Sequence, residues 1–214
     1  MARVRVRQHV NPLSQKYRTP IACPDWSMIY ADGGRPLHLD IGCARGKFLL
    51  NLAQAQTDWN FLGVEIREPL VLEANEQVVH LGRNNVHFLF GNINIAPLLF
   101  LQALAPNLRR VSIQFPDPWF KQRHSKRRVM QPELVVALAQ VLPLGGQVFI
   151  QSDVLAMAEA MGARLAEQPC FQRTHHDPWL AENPFSVPTE REIACAKLGR
   201  PVYRLLFEKS DSIT

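Results

Sequence analysis

The sequence has 214 residues and a mass of 24.3 kDa, which fits one folded domain with short appendages and argues against two full-sized domains. Apolar residues make up 47% and charged residues 20%, with 11 Gly and 16 Pro, which excludes collagen-like, coiled-coil and disordered chains. The longest apolar stretch, 95–106, is shorter than the roughly 20 residues that cross a bilayer. The basic N-terminus also has no apolar segment of a secretory signal behind it. We therefore expect a cytoplasmic protein without a membrane span.

Positive charge is concentrated in two segments of the chain. Residues 1–18 and residues 121–128 each hold five cations and no acid. These ten are part of 24 basic side chains, so 14 remain against 19 acidic ones elsewhere, although the whole chain carries +5. Two basic patches on an acidic body favour a polyanionic partner that docks at a defined place, although two solvated surface segments would have the same composition.

The four cysteines are widely spaced and form no C-x-x-C pair or Cys/His cluster. That spacing gives no indication of a zinc site, so we predict reduced thiols that mostly pack in the interior and no bound metal. The residues are Cys23, Cys43, Cys170 and Cys195.

From residue 37 onward, short apolar runs alternate with helical patterns. The predicted strands are 37–41, 60–65, 86–90, 110–115 and 147–151, and the predicted helices are 47–55, 69–81, 97–105, 132–141 and 154–167. Two more β-like runs, 170–174 and 202–208, flank a long segment rich in Pro and charge that we expect to be irregular. This order predicts an α/β fold with a doubly wound, Rossmann-like parallel sheet and antiparallel strands at one edge. Residues 1–36 are expected to form a basic arm and a loose lead-in to a domain spanning 37–214.

A glycine-containing turn follows the first predicted strand, in the order Asp40-x-Gly42-x-Ala44-x-Gly46. Such a turn lets the backbone approach a nucleotide closely, because glycine has no Cβ and tolerates positive φ. The dinucleotide fingerprint needs glycine at its first, third and sixth positions, and only Gly42 complies. No phosphate-binding GxxxxGK[ST] loop is present either, so nicotinamide, flavin and nucleoside-triphosphate chemistry are all disfavoured.

Polar side chains also end the next two predicted strands. Glu65 stands 25 residues beyond Asp40, where a carboxylate can accept hydrogen bonds from ribose hydroxyls. Asn92 follows the third strand, and its amide can both donate to and accept from an adenine edge. Any one of them could be an ordinary loop residue, but three in series at one edge of a sheet predict a nucleoside site.

The segment Phe115-Pro116-Asp117-Pro118-Trp119, at the end of the fourth strand, is the most informative stretch. Two prolines restrict the backbone on either side of Asp117, so its carboxylate is expected on a stiff loop of the kind that catalysis requires. Trp119 offers a face for a base, and the cations that follow could track phosphates. A turn with a core tryptophan and a solvated charge run is the alternative.

The glycine turn resembles the first motif of class I methyltransferases, with Ala44 in place of the middle glycine. The stretch FPDPWFKQRHSKRR from Phe115 resembles the signature of the tRNA (guanine-N7-)-methyltransferase family in its single-chain bacterial form. The similarity covers nearly the whole chain and includes residues 4–12, 151–153, 189–192 and 203–204.

This resemblance implies S-adenosylmethionine as cofactor and tRNA as partner, with methyl transfer to N7 of the guanosine at position 46 of the variable loop. The cofactor-contacting positions that it implies, including the glycines of the turn, are Asp40, Gly42, Gly46, Glu65, Asn92 and Asp117. Many members have Asp where this chain has Asn92. Asp117 also matches the proposed catalytic acid, and we expect it to orient the base and balance charge. The implied substrate contacts are Lys121, Asp153, Thr189 and Glu192, with Arg123, Arg127 and Arg128 and the N-terminal arm on the tRNA backbone.

Other interpretations stay open. Asp153 would otherwise cap the following helix, and Thr189-x-x-Glu192 has the pattern of a capping box. Methylation of an exocyclic amine uses a [DNS]-P-P-[YFW] loop, whose order differs from the one here, and a small-molecule methyltransferase would leave the cations without a role. A methyltransferase acting on a different RNA nucleophile, or a non-catalytic RNA-binding protein on the same fold, is the remaining alternative. The sequence does not distinguish a monomer from a homodimer.

Overall fold

A seven-stranded sheet forms the centre of the computed structural model, which describes residues 10–119 and 122–211. The strands run in the order β3-β2-β1-β4-β5-β7-β6. β1 to β5 pair in parallel, and β7 runs antiparallel to both β5 and β6. Their bounds are β1 Leu37–Ile41, β2 Asn60–Glu65, β3 Val86–Phe90, β4 Leu108–Gln114, β5 Gln147–Ser152, β6 Phe171–Arg173 and β7 Tyr203–Lys209. The predicted α/β class with antiparallel edge strands is confirmed.

Six α-helices accompany the sheet in the described residues. They are α1 Lys47–Ala55, α2 Glu68–His80, α3 Pro97–Leu104, α4 Pro132–Val141, α5 Leu155–Ala166 and α6 Glu190–Lys197. The first five agree with the predicted helices to within one residue at each end. α6 lies in the segment that we expected to be irregular, so that expectation was wrong. The capping box explains the helix, because Thr189 Oγ1 accepts from the backbone N–H of Glu192 at 3.1 Å and starts it.

The core has two layers because both faces of the parallel sheet are covered. One layer packs α3, α4 and α5 against aliphatic side chains of the strands. The other packs α1 and α2 against Phe61, Phe88 and Phe149, together with Phe185 from the loop before α6. Every residue of β1 and β2 is buried, so a polar side chain in these strands must find its partners inside the protein.

The lead-in is not loose over its described part, residues 10–36, in contrast to our expectation. Ile21 and Tyr30 are 8% and 7% exposed and belong to the core, and the Tyr30 hydroxyl donates to the Phe61 carbonyl at 3.0 Å. Ile21 fills the space beside Gly91, where a Cβ would lie 2.4 Å from its Cγ1. Isolated apolar residues without periodicity can dock in this way, but they leave no pattern in the sequence. The part of the arm before residue 10, and Lys121, lie outside the described residues.

The structure bears on the predictions about membrane spans and cysteines. No helix among the described residues is both long enough and apolar enough to cross a membrane. None of the four cysteines is in a disulfide, and Cys43 and Cys195 are buried as predicted, whereas Cys23 is exposed.

Candidate active site

Two adjoining pockets lie at the carboxyl ends of β1, β2, β3 and β4. The first is bounded by the ends of β2 and β3 and by the lead-in, and the second by the glycine turn, the loop after β5 and the start of α6. They share one wall, which is formed by Gly42, Arg67 and the segment Gln114 to Asp117. The crevice at the carboxyl edge of such a sheet is where doubly wound folds bind ligands.

The glycine turn has three residues in the left-handed region. Gly42 has φ 84°, Ala44 φ 51° and Gly46 φ 70°. At Gly46 a Cβ would lie 2.4 Å from the ring of Phe88, so this glycine is required for both conformation and space. Ala44 takes a conformation that costs a residue with a Cβ about 1 kcal/mol, and its N–H donates to the Glu65 carboxylate at 2.9 Å. The turn is therefore fastened to the end of β2.

Glu65 lies at the first pocket and is 2% exposed. Its Oε1 also accepts from the backbone N–H of Arg67 at 2.9 Å, and the Arg67 side chain donates to both of its oxygens. Arg67 lines both pockets, and the sequence analysis did not single it out. The only signal in the sequence was a cation two positions after the acid at a strand end.

Asn92 also lines the first pocket and is 7% exposed. Its amide donates to the Pro12 carbonyl at 3.2 Å, so the lead-in forms part of this pocket. Ile66, Ile93 and Val129 are among the apolar residues of its lining. This combination suits a nucleoside: a carboxylate can accept from sugar hydroxyls, an amide can bond the edge of the base, and apolar walls can pack against the faces of the base.

Asp40 lies at the second pocket and not at the first. It accepts hydrogen bonds from Ser112 Oγ at 2.6 Å and Gln114 Nε2 at 3.1 Å. Burial raises the pKa of Asp40 to about 6, against the lowering effect of these two donors. Behind Ser112 lies His38 Nε2, at 2.9 Å from Oγ, and burial lowers the pKa of this histidine well below its usual value.

Asp117 lies in the shared wall and lines both pockets, as the loop was predicted to place it. The loop leaves β4 through Phe115, whose φ is 50° and whose N–H donates to the Gln151 carbonyl at 2.8 Å. Trp119 lies in the same loop, and the Arg127 guanidinium lies 4.9 Å from the centre of its ring. A side chain in this wall can reach a group in either pocket.

The basic segment after the loop divides its cations between two environments. Arg123 and Lys126 are exposed on the 3-10 helix Gln122–Arg127. Arg127 is half-buried and lines the first pocket, and half-buried Arg128 donates to the Trp119 carbonyl at 3.3 Å. The sequence predicted contact with the tRNA backbone for these cations, and among the four that the structure describes, Arg123 and Lys126 are exposed whereas Arg127 and Arg128 are half-buried.

The start of α6 forms the far side of the second pocket, with Thr189, Glu190 and Arg191. Arg191 forms an ion pair with Asp153, and Glu190 one of 2.7 Å with Lys47 at the start of α1. The alternative in which Asp153 caps α5 does not hold, because α5 begins at Leu155 with Val154 as its N-cap, and the Asp153 side chain pairs with Arg191.

Glu192 lies behind the second pocket and is 7% exposed. It accepts from Arg204 Nη2 at 2.7 Å and from Asn183 Nδ2 at 2.8 Å, and it completes the capping box. The capping interpretation of this glutamate is therefore confirmed, and its oxygens are engaged inside the protein. The described residues contain no group of three potential metal-ligating side chains.

Comparisons with known proteins find relatives over nearly the whole chain. A family model described as "Putative methyltransferase" matches residues 34–205. A tRNA (guanine-N(7)-)-methyltransferase from Synechocystis is 66% identical over 98% of this chain and all of its own length. The proteins of the same description from Microcystis aeruginosa and Synechococcus elongatus are 62% and 60% identical over 97% of this chain, covering 99% and 97% of their own lengths.

Solved structures share the fold at low identity. An rRNA methylase from Streptococcus thermophilus matches with a TM-score of 0.50 and 13% identity over 86% of this chain and 91% of its own. TrmN from Thermus thermophilus matches with a TM-score of 0.54 and 18% identity over 82% of this chain and 45% of its own. These structures show the fold alone, and the sequence relatives show that the chain belongs to the tRNA (guanine-N(7)-)-methyltransferase family.

Proposed function

We propose that this protein transfers a methyl group from S-adenosylmethionine to N7 of a guanosine in tRNA, at position 46 of the variable loop, in the cytoplasm. The observation that carries the proposal is the position of Asp117 in the wall between a pocket lined for a nucleoside and a second pocket whose lining includes the basic side chains of Arg45, Lys47 and Arg191. The sequence relatives bear the name of this activity.

The first pocket would hold the adenosine part of the cofactor. Both Glu65 oxygens are engaged by Ala44 and Arg67 in this structure, so Glu65 would accept from the ribose hydroxyls in exchange for the Arg67 guanidinium. Asn92 supplies an amide for the adenine edge. Ile66, Ile93 and Val129 offer apolar surface for the faces of the base. Asp40, across Gly42 in the second pocket, would face the positively charged amino acid part.

When bound, the cofactor supplies a methyl group on a sulfonium, whose carbon–sulfur bond breaks with its electron pair left on sulfur as a bond to N7 forms. Guanine N7 has a free lone pair and no proton, so the protein need not remove one. The protein's part is to position the base and to balance the positive charge that the purine gains. Asp117 does both when it accepts from the N1–H and exocyclic amine of guanine.

The tRNA would lie across the exposed cations Arg123 and Lys126, with the basic arm at residues 1–18 adding contacts to other phosphates. Phosphate contacts give affinity that falls steeply with salt and hold the RNA in register. Access of N7 to a buried methyl donor then requires the base to loosen from its tertiary stack, a modest form of base flipping.

The test is methyl transfer from labelled S-adenosylmethionine to unmodified tRNA transcripts, followed by nucleoside analysis. Three transcripts are compared: one with guanosine at position 46, one with adenosine there, and one with 7-deazaguanosine, which keeps the pairing edge but lacks the N7 lone pair. Label is expected as 7-methylguanosine with the first transcript alone. Equal label with 7-deazaguanosine would mean a different nucleophile, and cofactor binding without transfer to any RNA would mean a non-catalytic RNA-binding protein.

A further inference from the structure

A row of hydrogen-bonded side chains crosses the sheet beneath the second pocket, from Asp40 to α6. Gln114 Nε2 donates to Asp40 Oδ1 at 3.1 Å, and Gln151 Nε2 donates to Gln114 Oε1 at 2.8 Å. Gln151 Nε2 also lies 3.4 Å from Glu192 Oε2. Gln151 has no exposed surface and lines neither pocket, so it can act on a ligand only through its neighbours.

The orientation of the row is fixed at its α6 end. Glu192 is held by the Arg204 guanidinium and by the Asn183 amide, so it meets Gln151 as an acceptor. If the Gln151 amide were reversed, its oxygen would face both the Glu192 carboxylate and Gln114 Oε1, three acceptors without a donor. The observed orientation leaves Gln151 Oε1 buried without a partner, a cost that the two donated bonds offset.

The orientation of the Gln114 amide follows from that of Gln151. Because Gln114 Oε1 is occupied by the Gln151 donor, Gln114 must turn its Nε2 toward Asp40 Oδ1 and Ser112 Oγ, at 3.1 and 3.5 Å. A reversed Gln114 would place its oxygen against the Asp40 carboxylate. Glu192 therefore fixes the orientation of the Gln151 amide, and Gln151 in turn fixes that of the Gln114 amide beside Asp40.

We propose that Gln151 is a positioning residue for the cofactor, because it holds the Gln114 amide as a hydrogen-bond donor to the Asp40 carboxylate. The proposal rests on the proposed function, in which Asp40 faces the charged part of S-adenosylmethionine. A carboxylate that accepts two hydrogen bonds is held in its charged form, and without the Gln114 donor burial would raise its pKa further. Gln151 therefore extends the range of pH over which the site attracts a cation.

Few other groups near Asp40 could change the pH dependence of cofactor binding in the same way. Glu65 on β2 opposes its ionisation, and Arg67 lies beyond Glu65 in the same pocket wall. Burial lowers the pKa of His38, reached through Ser112, and raises that of Cys43 in the glycine turn. Both stay uncharged near neutral pH. Asp117, Asp153 and Glu190 line the same pocket, so the pH dependence is assigned to Asp40 by its loss in Asp40→Asn.

The experiment measures the dissociation constant of S-adenosylmethionine between pH 5 and 8 by calorimetry, for the full chain and for Gln151→Met. Methionine keeps the length of the side chain and removes both donors. We expect affinity about tenfold weaker near pH 6.5 and a binding midpoint shifted to higher pH, with the two curves converging at pH 8. The matched control is Gln147→Met at the other end of β5, where the amide donates to Glu208, and it should match the wild type.

Two further variants separate the possible failures. Asp40→Asn tests the assignment beneath the proposal: if it binds the cofactor as the wild type does, the proposed cofactor site is wrong. If Asp40→Asn loses binding while Gln151→Met keeps the wild-type affinity and midpoint, the positioning role of Gln151 is overturned. Should Gln151→Met fail to fold, Glu192→Gln replaces it, because it frees the Gln151 amide to reverse. A smaller shift in the same direction supports the proposal, and an unchanged midpoint contradicts it.

Discussion

The guanidinium of Arg67 donates two hydrogen bonds to the carboxylate of Glu65, with Nε 2.9 Å from Oε1 and Nη2 3.0 Å from Oε2. Glu65 is buried at the end of β2, and Arg67 is the residue that forms an ion pair with it. Replacement of Arg67 by Met would leave a buried carboxylate without a cation, because the two backbone N–H donors remain but carry no charge. We expect Arg67→Met to lower the free energy of unfolding by about 3 kcal/mol, measured by urea denaturation at pH 7.

The control for this prediction is Arg35→Met. Arg35 pairs with Asp32 at 3.5 Å on the surface, where such a pair contributes less than about 1 kcal/mol. The double variant Glu65→Gln/Arg67→Met removes both charges and should recover part of the loss. Equal effects at Arg67 and Arg35 would show that the buried pair has no special role in stability.

Asp40 gives a prediction about pH. Its pKa is raised to about 6 from an ordinary 3.8 by burial, so the folded state binds the proton more tightly than the unfolded state does. Ionisation therefore costs stability as the pH rises from about 4 to about 6, and by pH 7 the cost reaches about 3 kcal/mol. Asp40→Asn removes that charge and should be more stable than the wild type by up to this amount at pH 7, with little difference at pH 4.

Urea denaturation at the two pH values checks this, with Asp58→Asn at an exposed position as the matched control. Asp58→Asn should change stability by less than about 0.5 kcal/mol at either pH. A loss of stability in Asp40→Asn at pH 7 would mean that the hydrogen bonds from Ser112 and Gln114 outweigh the burial of the charge. An aspartate that costs stability and is nevertheless placed at a pocket is typical of a functional residue.

The central part of the fold was readable from the sequence because its elements are strongly patterned. The apolar runs of the five parallel strands and the amphipathic runs between them predicted every boundary to within two residues. Ile21 and Tyr30 had no such pattern, since each docks as a single side chain against a surface that exists only after folding. α6 was missed for a related reason: its exposed, charged sequence has little apolar periodicity, and only the Thr189–Glu192 spacing indicated it.

The site could be predicted in part, because some of its residues follow strongly patterned strands. The carboxyl ends of parallel strands lie at one edge of the sheet, so the order of the strands along the chain was enough to predict that Glu65, Asn92 and Asp117 lie at that edge. Pairings across long separations carry no local signal: the contact of Asp153 with Arg191 spans 38 residues, and that of Glu192 with Arg204 depends on how α6 meets β7. The sequence therefore indicated which side chains approach the site, but not which of them are already engaged within the protein.

Asp117 gives the prediction for catalysis. Asp117→Ala should bind S-adenosylmethionine within about threefold of the wild type, because the first pocket keeps its carboxylate, amide and apolar lining. Single-turnover methyl transfer should fall by about a hundredfold or more, since the base loses its acceptor and the purine its balancing charge. Calorimetry with the cofactor and a rapid-quench assay with tRNA measure the two effects separately. Wild-type turnover in this variant would exclude Asp117 from the reaction.

The division of the basic segment predicts different effects for its cations. Arg123→Ala/Lys126→Ala removes the two exposed charges, so the salt dependence of tRNA binding should flatten by roughly 1.5 in the slope of log K against log salt, with cofactor affinity unchanged. Arg127→Ala removes a side chain that lines the first pocket and stacks on Trp119, so it should weaken cofactor binding and leave the salt slope nearly as it was. Filter binding of tRNA at several salt concentrations, with calorimetry of the cofactor, distinguishes the two. If Arg127→Ala flattened the slope as much as the exposed pair does, the half-buried cation would reach the RNA backbone and the division would be wrong.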